Sequence, residues 1–204
     1  MNISINTQSS IKIGNIYFDP YLRREEVHDA DIIFITHSHY DHFDINSINN
    51  IKNDNTIIVV PDDKEILNNL NFDENNILIV KPNNNYEVHG IKFSTVPSYN
   101  INKPFHKYEY GWVGYVINIS DTTYYVMGDT DLIDEAKSVI CDYLFIPIGG
   151  TYTMDYKEAS TLCNIIKPKI VTPIHYGSIV GKIEDGYSFK ELVNSDIEVN
   201  LILK

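Results

Sequence analysis

The sequence predicts a mixed α/β (α+β) fold, and three observations carry that prediction. Short, continuous runs of β-branched and apolar residues recur along the chain, each bounded by turn-forming residues. The early runs follow one another as a meander, whereas the later ones alternate with segments of helical periodicity. Residue types that bind metals stand just after several of these runs, where strand ends would gather them on one edge of a sheet.

Taken in order, Ile3 and Ile5 alternate as a short strand, and Ile11 to Phe18 reads as a hairpin around Gly14-Asn15. Asp19-Pro20-Tyr21 closes it. Asp19 reads as a turn residue ahead of proline, with orientation of a metal-bound histidine as the alternative. The charged segment 22–30 is an exposed loop in which His28 is solvated. Asp31 to Ile35 is a buried strand.

Residues 44–51 form a helix capped by Asp44 or Asn46, with Ile45, Ile48 and Ile51 at helical spacing. Strands follow at 56–61 and 77–80, with a helix at 62–70 between them. Asn83 to Asn85 is a polar turn, and Val88 to Pro97 a half-buried strand in which His89, beside Gly90, is a turn residue. A long aromatic-rich loop occupies 98–112, and long loops in compact domains are commonly functional.

Residues 113–119 and 122–127 pair as a hairpin that delivers Gly128-Asp129-Thr130-Asp131 at its end. A helix at 132–140, a strand at 143–148 and a loop at 149–152 come next. The following helix ends at Ile166 and is capped by Thr153 or Asp155, with Pro168 beyond it. Residues 169–174 form a strand ending on His175-Tyr176-Gly177. A short helix at 189–194 and a strand at 197–203 complete the chain.

Length and composition fit one domain spanning 1–204, without an internal linker or repeat. A net charge of −12 argues against nucleic acid as a partner. It leaves room for a small-molecule substrate, even an anionic one met by bound metal. Cys141 and Cys163 are expected as buried free thiols. The N-terminus lacks the features of a signal peptide, and no apolar run could span a bilayer, so the expected location is cytoplasmic.

The densest chemistry lies in Thr36-His37-Ser38-His39-Tyr40-Asp41-His42, three of the seven histidines within six residues. In an extended segment His37 and His39 point the same way. Asp41 and His42 follow where the chain must turn. Imidazoles and carboxylates gathered at the end of a buried strand make a platform for Zn²⁺, with Mn²⁺ or Fe²⁺ as alternatives.

These residues resemble the metallo-β-lactamase superfamily. Its His-x-His-x-Asp-His signature is matched by 37–42, its bridging-aspartate motif by Gly128-Asp129-Thr130, and its final histidine by Pro173-Ile174-His175-Tyr176-Gly177. Asp19-Pro20, Asp29-Ala30-Asp31 and 150–154 are similar to the UlaG-like branch of metal-dependent hydrolases. The resemblance implies a four-layer αββα sandwich with the site on one edge of two facing sheets. It also implies two divalent ions: His37 and His39 at the first, Asp41, His42 and His175 at the second, and Asp129 between them. Position 39 lacks the glutamate carried by diiron redox relatives, which favours hydrolysis.

One position departs from the family pattern. The strand end that precedes the first ion's third histidine reads Val96-Pro97-Ser98-Tyr99-Asn100, and the nearest histidine is His106. Either His106 reaches back to the metal, which is the favoured reading, or Asn100 or water takes its place. Asn100, Lys103, Tyr152 and Tyr176 are candidate substrate contacts.

Two ions sharing a hydroxide, oriented by Asp41 and Asp129 as catalytic carboxylates, would attack a phosphoester or a lactone or ester carbonyl. Two other readings stand beside this one. A metal-binding sensor or scaffold would follow from an incomplete first site. A membrane-lipid phosphodiesterase would follow from the aromatic loop.

Overall fold

The computed structural model describes residues 2–202. Six strands form the first sheet in chain order: β1 (Ile3–Ile5), β2 (Ile11–Ile13), β3 (Ile16–Phe18), β4 (Ile32–Phe34), β5 (Ile57–Pro61) and β6 (Ile77–Val80). The first three pair antiparallel, and β3 through β6 run parallel. The second sheet holds β7 (Asn85–Val88), β8 (Ile91–Pro97), β9 (Val113–Ile119), β10 (Thr122–Val126), β11 (Tyr143–Pro147), β12 (Ile170–Ile174) and β13 (Glu198–Val199). There β7 to β10 form an antiparallel meander and β10 to β13 run parallel.

Parallel neighbours need a crossover, and helices supply all of them except that between β3 and β4, which is the loop 19–31. Helices α1 (Ile45–Ile51) and α2 (Lys64–Asn69) connect strands of the first sheet. Helices α3 (Asp134–Lys137), α4 (Tyr156–Ile166) and α5 (Ile183–Leu192) do so in the second.

The layering follows from the period-two alternation of side chains along each strand. Ile32 and Phe34 face the second sheet and pack with Ile11, Phe93, Tyr115 and Phe145. Ile33 and Ile35 face the other way, onto Ile48 and Ile51 of α1 and Ile66 of α2. In β11 the same rule sends Tyr143 and Phe145 inward, and Leu144 and Ile146 outward against Leu162 of α4 and Phe189 of α5. Three apolar layers between four layers of structure make an αββα sandwich. Phe34 sits at the centre of the middle layer, its ring 5.0 Å from Phe18, 5.1 Å from Phe93 and 4.9 Å from Tyr115. Aromatic pairs at such distances contribute about 0.5–1.5 kcal/mol beyond their buried area.

Local signals decide where the helices start. Asp44 caps α1, accepting from the Asn46 amide at 3.1 Å and the Ser47 hydroxyl at 2.6 Å. Asp155 caps α4 and accepts from two amides of its first turn, while Glu158 returns a bond to the Asp155 amide.

Four expectations shift. The strand read over 88–97 divides at His89-Gly90: Val88 ends the first arm of a hairpin that begins at Asn85, inside the segment read as a turn, and 91–97 forms the second. Its reversal at His89-Gly90 uses φ of 48° and 75°. Stacking of Tyr86 on Phe93 at 5.5 Å holds the arms together despite the weak strand propensity of the asparagines. The helix read over 132–140 contracts to Asp134–Lys137. The last helix begins at Ile183 rather than Phe189. Gly186, a poor helix former, hid its start; a Cβ there would lie 2.5 Å from the Tyr176 hydroxyl, so close packing requires the glycine. Within the closing segment the strand is confined to Glu198–Val199, and Leu203 lies outside the described residues. Cys141 and Cys163 are buried free thiols, both pushed up to about 12 by burial.

Candidate metal centre

The ends of β4, β8, β10 and β12 open onto one edge of the sandwich, and each delivers a part of the histidine–aspartate motif set there. After β4 the chain continues through Thr36 and tightens into a turn in which the amides of His42 and Phe43 both bond to the His39 carbonyl, at 2.9 and 2.8 Å. That turn swings Asp41 and His42 to the side where His37 and His39 already point. The turn after β10 carries Asp129 behind Gly128 (φ 67°), where a Cβ would fall 3.0 Å from the Thr36 side chain. Only glycine lets this turn close onto the first sheet.

Two groups of ligand-type atoms result, each within 4.8 Å of one another: His37, His39, His106 and Asp129, and then Asp41, His42 and His175. Asp129 reaches both. Its Oδ2 lies 3.4 Å from His106 Nε2 and 3.2 Å from His175 Nε2, and its Oδ1 lies 3.4 Å from His42 Nε2. Asp41 Oδ2 is 3.2 Å from His175 Nε2 and 3.7 Å from His42 Nε2.

Three of the histidines have their tautomer settled by the group behind them. Asp19 is fully buried and accepts from the Thr36 amide (2.8 Å), the Thr36 hydroxyl (2.7 Å) and His42 Nδ1 (2.7 Å). The Thr36 hydroxyl, its proton given to Asp19, accepts from His37 Nδ1 at 2.9 Å. Asn100 Nδ2 donates to Asp131 and to the Tyr152 carbonyl, which fixes the orientation of the amide. Its Oδ1 then accepts from His106 Nδ1 at 2.9 Å. Each of these rings therefore keeps its Nδ1 proton on the group behind it and turns Nε2 toward the cluster. Metal-ligating histidines are held in this manner.

The donor set fits divalent cations. His42 Nε2, His106 Nε2, His175 Nε2 and Asp129 Oδ1 are buried without a hydrogen-bond partner, a costly arrangement for a site meant to stay without one. Electrostatics point the same way. Burial opposes the charge on Asp129, but His175 and His42 outweigh it and hold the carboxyl well below its usual range. Burial likewise opposes a charged His42, yet Asp129 and Asp19 hold its pKa well above the ordinary value, so these carboxylates call for positive charge at Nε2, which a bound cation would supply in place of a proton. Burial, with His42 next, keeps His37 neutral far below its normal pKa.

Residues 10–175 match the model of the β-lactamase superfamily domain. The chain belongs to the metallo-β-lactamase superfamily. It is 35% identical over 206 residues to a UPF0173 metal-dependent hydrolase of Thermococcus onnurineus, covering 93% of this chain and 88% of that one. A Staphylococcus aureus UPF0173 metal-dependent hydrolase is 30% identical over 223 residues, covering 98% and 96%. The crystal structure of a candidate metal-dependent hydrolase from Parabacteroides distasonis superposes with a TM-score of 0.82 at 26% identity, covering 99% of this chain and 93% of that one. This chain is thus a metal-dependent hydrolase of the superfamily, with histidine and aspartate groups that can bind metal.

Other expected site residues of this hydrolase fall in different places. His106 is fully buried and joins the first group, so Asn100 stands behind a candidate ligand instead of replacing it. All the polar atoms of the Asn100 side chain are engaged, which corrects its reading as a substrate contact. Lys103 is corrected as well: its ammonium is committed to Asp131 and to the Thr153 carbonyl at 2.7 Å. Tyr176 is buried under α5, with its hydroxyl pushed up to about 12, and lies in the core instead of facing substrate. Tyr152 is half-buried, its ring 4.7 Å edge-on to Phe105. Asp19, read first as a turn residue, takes its alternative role behind His42.

Three supports were not foreseen. Thr36 couples Asp19 to His37. Asp131 gathers Asn100, the Ile101 amide and Lys103 around one carboxylate. The Gln8 carbonyl, from the loop between β1 and β2, accepts from the His175 amide at 3.2 Å. His175 itself has φ of 56°, and Gly149 packs so close that a Cβ there would meet the His175 carbonyl at 2.4 Å. The second acidic residue of Gly-Asp-Thr-Asp was the one available hint of the Asp131 hub; the Gln8 contact is a backbone bond with no sequence signature.

Proposed function

We propose that this hydrolase holds two divalent ions, Zn²⁺ first among them, and cleaves a phosphoester or a lactone or ester of a small molecule. The observation that carries this reading is the set of buried, partnerless Nε2 atoms of His42, His106 and His175 converging on Asp129. His37, His39 and His106 would hold one ion, Asp41, His42 and His175 the other, and Asp129 would serve both. When bound, such ions polarise the scissile group and bring the pKa of a shared water down towards 7.

The chain's own residues do the positioning. Asp19, through Thr36 and directly, keeps His37 and His42 in the ligating tautomer. Asn100 does the same for His106. Asp41 and Asp129 stay ionised, so a water placed between them finds acceptors for its protons and is oriented by them. Burial of every proposed ligand except His39 excludes bulk water from all sides but one.

Placement of His106 with the first group speaks against a sensor with an incomplete site. Among the described residues no helix is long and apolar enough to cross a membrane. The test is metal content by mass spectrometry, with hydrolysis of bis(4-nitrophenyl) phosphate, phenyl acetate and γ-thiobutyrolactone by the loaded protein. Close to two ions per chain and activity lost in His37→Ala and Asp129→Ala are expected. Turnover that survives both substitutions refutes the site.

A further inference from the structure

We infer that the groove beside His39 receives the non-reacting part of the substrate, and that this part is an uncharged aromatic ring. The inference rests on the metal-dependent reading above and adds a substrate class to it. His39 is the one half-exposed member of the seven candidate ligands, so the cluster opens on its side. A groove of about 430 Å³ begins there, with His39 in its wall and Phe105, Tyr110 and Trp112 around it.

Those three side chains are arranged to take a flat apolar body. Trp112, only 6% exposed, lies 4.8 Å from the His37 ring and 5.0 Å from the His39 ring and backs the groove where it meets the ligand imidazoles. Its Nε1 donates to Asp63 Oδ2 at 2.7 Å, which leaves the indole no free hydrogen-bonding group to offer a ligand. Phe105 and Tyr110 are 41% and 42% exposed. Tyr152 braces Phe105, and Tyr110 packs 4.9 Å from Trp112, so both rings are held in place although their faces remain open. Offset or edge-on contact with such rings favours an aromatic partner over an aliphatic one of equal area.

Charge selects against anions. The rest of the groove carries Asp62, Asp63 and Glu65 against a single Lys64, and the chain as a whole bears −12. Lys103, in the loop that carries His106, is bound to Asp131 and Thr153, and Lys107, next to His106, is exposed and does not line the groove. An acidic substituent carried into this groove would meet a net negative field.

The test uses the full chain loaded with Zn²⁺ and three chelating probes whose common hydroxamate binds the metal: acetohydroxamate, benzohydroxamate and 4-carboxybenzohydroxamate. Dissociation constants come from calorimetry. Benzohydroxamate is expected to bind about tenfold or more tightly than acetohydroxamate, the gain of one buried phenyl ring. That ratio should fall to about threefold or less in a Phe105→Ala/Tyr110→Ala double variant that still binds acetohydroxamate normally, and the carboxylated probe should bind more weakly than its parent. Equal binding of the first two probes, an undiminished ratio in the double variant, or tightest binding of the carboxylated probe overturns the inference while leaving the metal centre standing. If loaded wild-type protein binds none of the three, or takes up no Zn²⁺, the metal-dependent reading falls and this inference with it.

Discussion

Asp19→Asn changes one oxygen to an amide at almost constant volume, and the geometry around it leaves that amide nowhere to go. Oδ1 accepts the Thr36 amide, while Oδ2 accepts the Thr36 hydroxyl and His42 Nδ1. An asparagine must turn its NH₂ toward one of two N–H donors. Facing the Thr36 amide, it leaves two buried donors opposed, at a cost of about 1–3 kcal/mol. Facing His42, it forces the ring to move its proton to Nε2, the atom that points at Asp41 and Asp129, and a protonated Nε2 cannot ligate. Loss of such supporting groups costs about 10–100-fold in metal affinity, or about 1.4–2.8 kcal/mol. Competition with a fluorescent chelator measures it. The expected result is one of the two ions weakened by that factor, with far-UV circular dichroism unchanged. Affinities within twofold of wild type at both positions, with unaltered stability, would refute the account of Asp19 as the group that holds His42.

Three further outcomes follow from other contacts. Asn100→Ala removes the acceptor behind His106 and should release one ion per chain to a chelator that leaves the other bound, about a 10–100-fold loss at one position; mass spectrometry after dialysis reads the stoichiometry. Gly149→Ala drives a Cβ into the His175 carbonyl and should lower stability by about 1–3 kcal/mol, as overpacking does, measured by urea denaturation of the metal-free protein. Asp29 is bonded by Lys12 Nζ at 2.6 Å and by the Tyr17 hydroxyl at 2.5 Å. Partial burial works against its charge, but the two donors outweigh it and lower its pKa below 3.8. Its contribution is therefore complete above pH 3.8 and fades as pH falls through the lower folded value. Asp29→Asn should cost about 0.5 kcal/mol at pH 7, discounted for solvent screening, and progressively less as pH falls below 3.8, which a series of urea midpoints against pH would resolve.

Much of the fold was legible because buried strands announce themselves. Ile32 to Ile35, Ile57 to Val60 and Tyr143 to Ile146 are apolar on both faces since each sheet is covered on both sides. What the sequence hid were elements stabilised from outside their own residues. The Asn85 strand exists because Tyr86 finds Phe93, and the first turn of α5 because Gly186 fits over Tyr176. The site followed the same division. The clustered motif and the two downstream strand ends were readable, and His106 was suspected, since their chemistry is carried in residue type. The substrate assignments for Asn100, Lys103 and Tyr176 failed for a shared reason: a polar side chain in a functional loop serves scaffold and substrate with the same groups. Only its partners, here Asp131, the carbonyls of residues 152 and 153, and the packing under α5, tell the two apart.

The proposed ligands come from both sheets: 37–42 follow β4 of the first, whereas His106, Asp129 and His175 depend on strands of the second. Ions held between them would act as rivets across the seam of the sandwich as well as reagents. A ligand present at a thousand times its dissociation constant adds about 4 kcal/mol to the folded state, a large share of the 5–15 kcal/mol that typically keeps a domain folded. Metal supply would then govern how much of this chain persists in a cell, quite apart from how fast it works. A substitution that spares turnover yet loosens one rivet would be felt first as shortened lifetime.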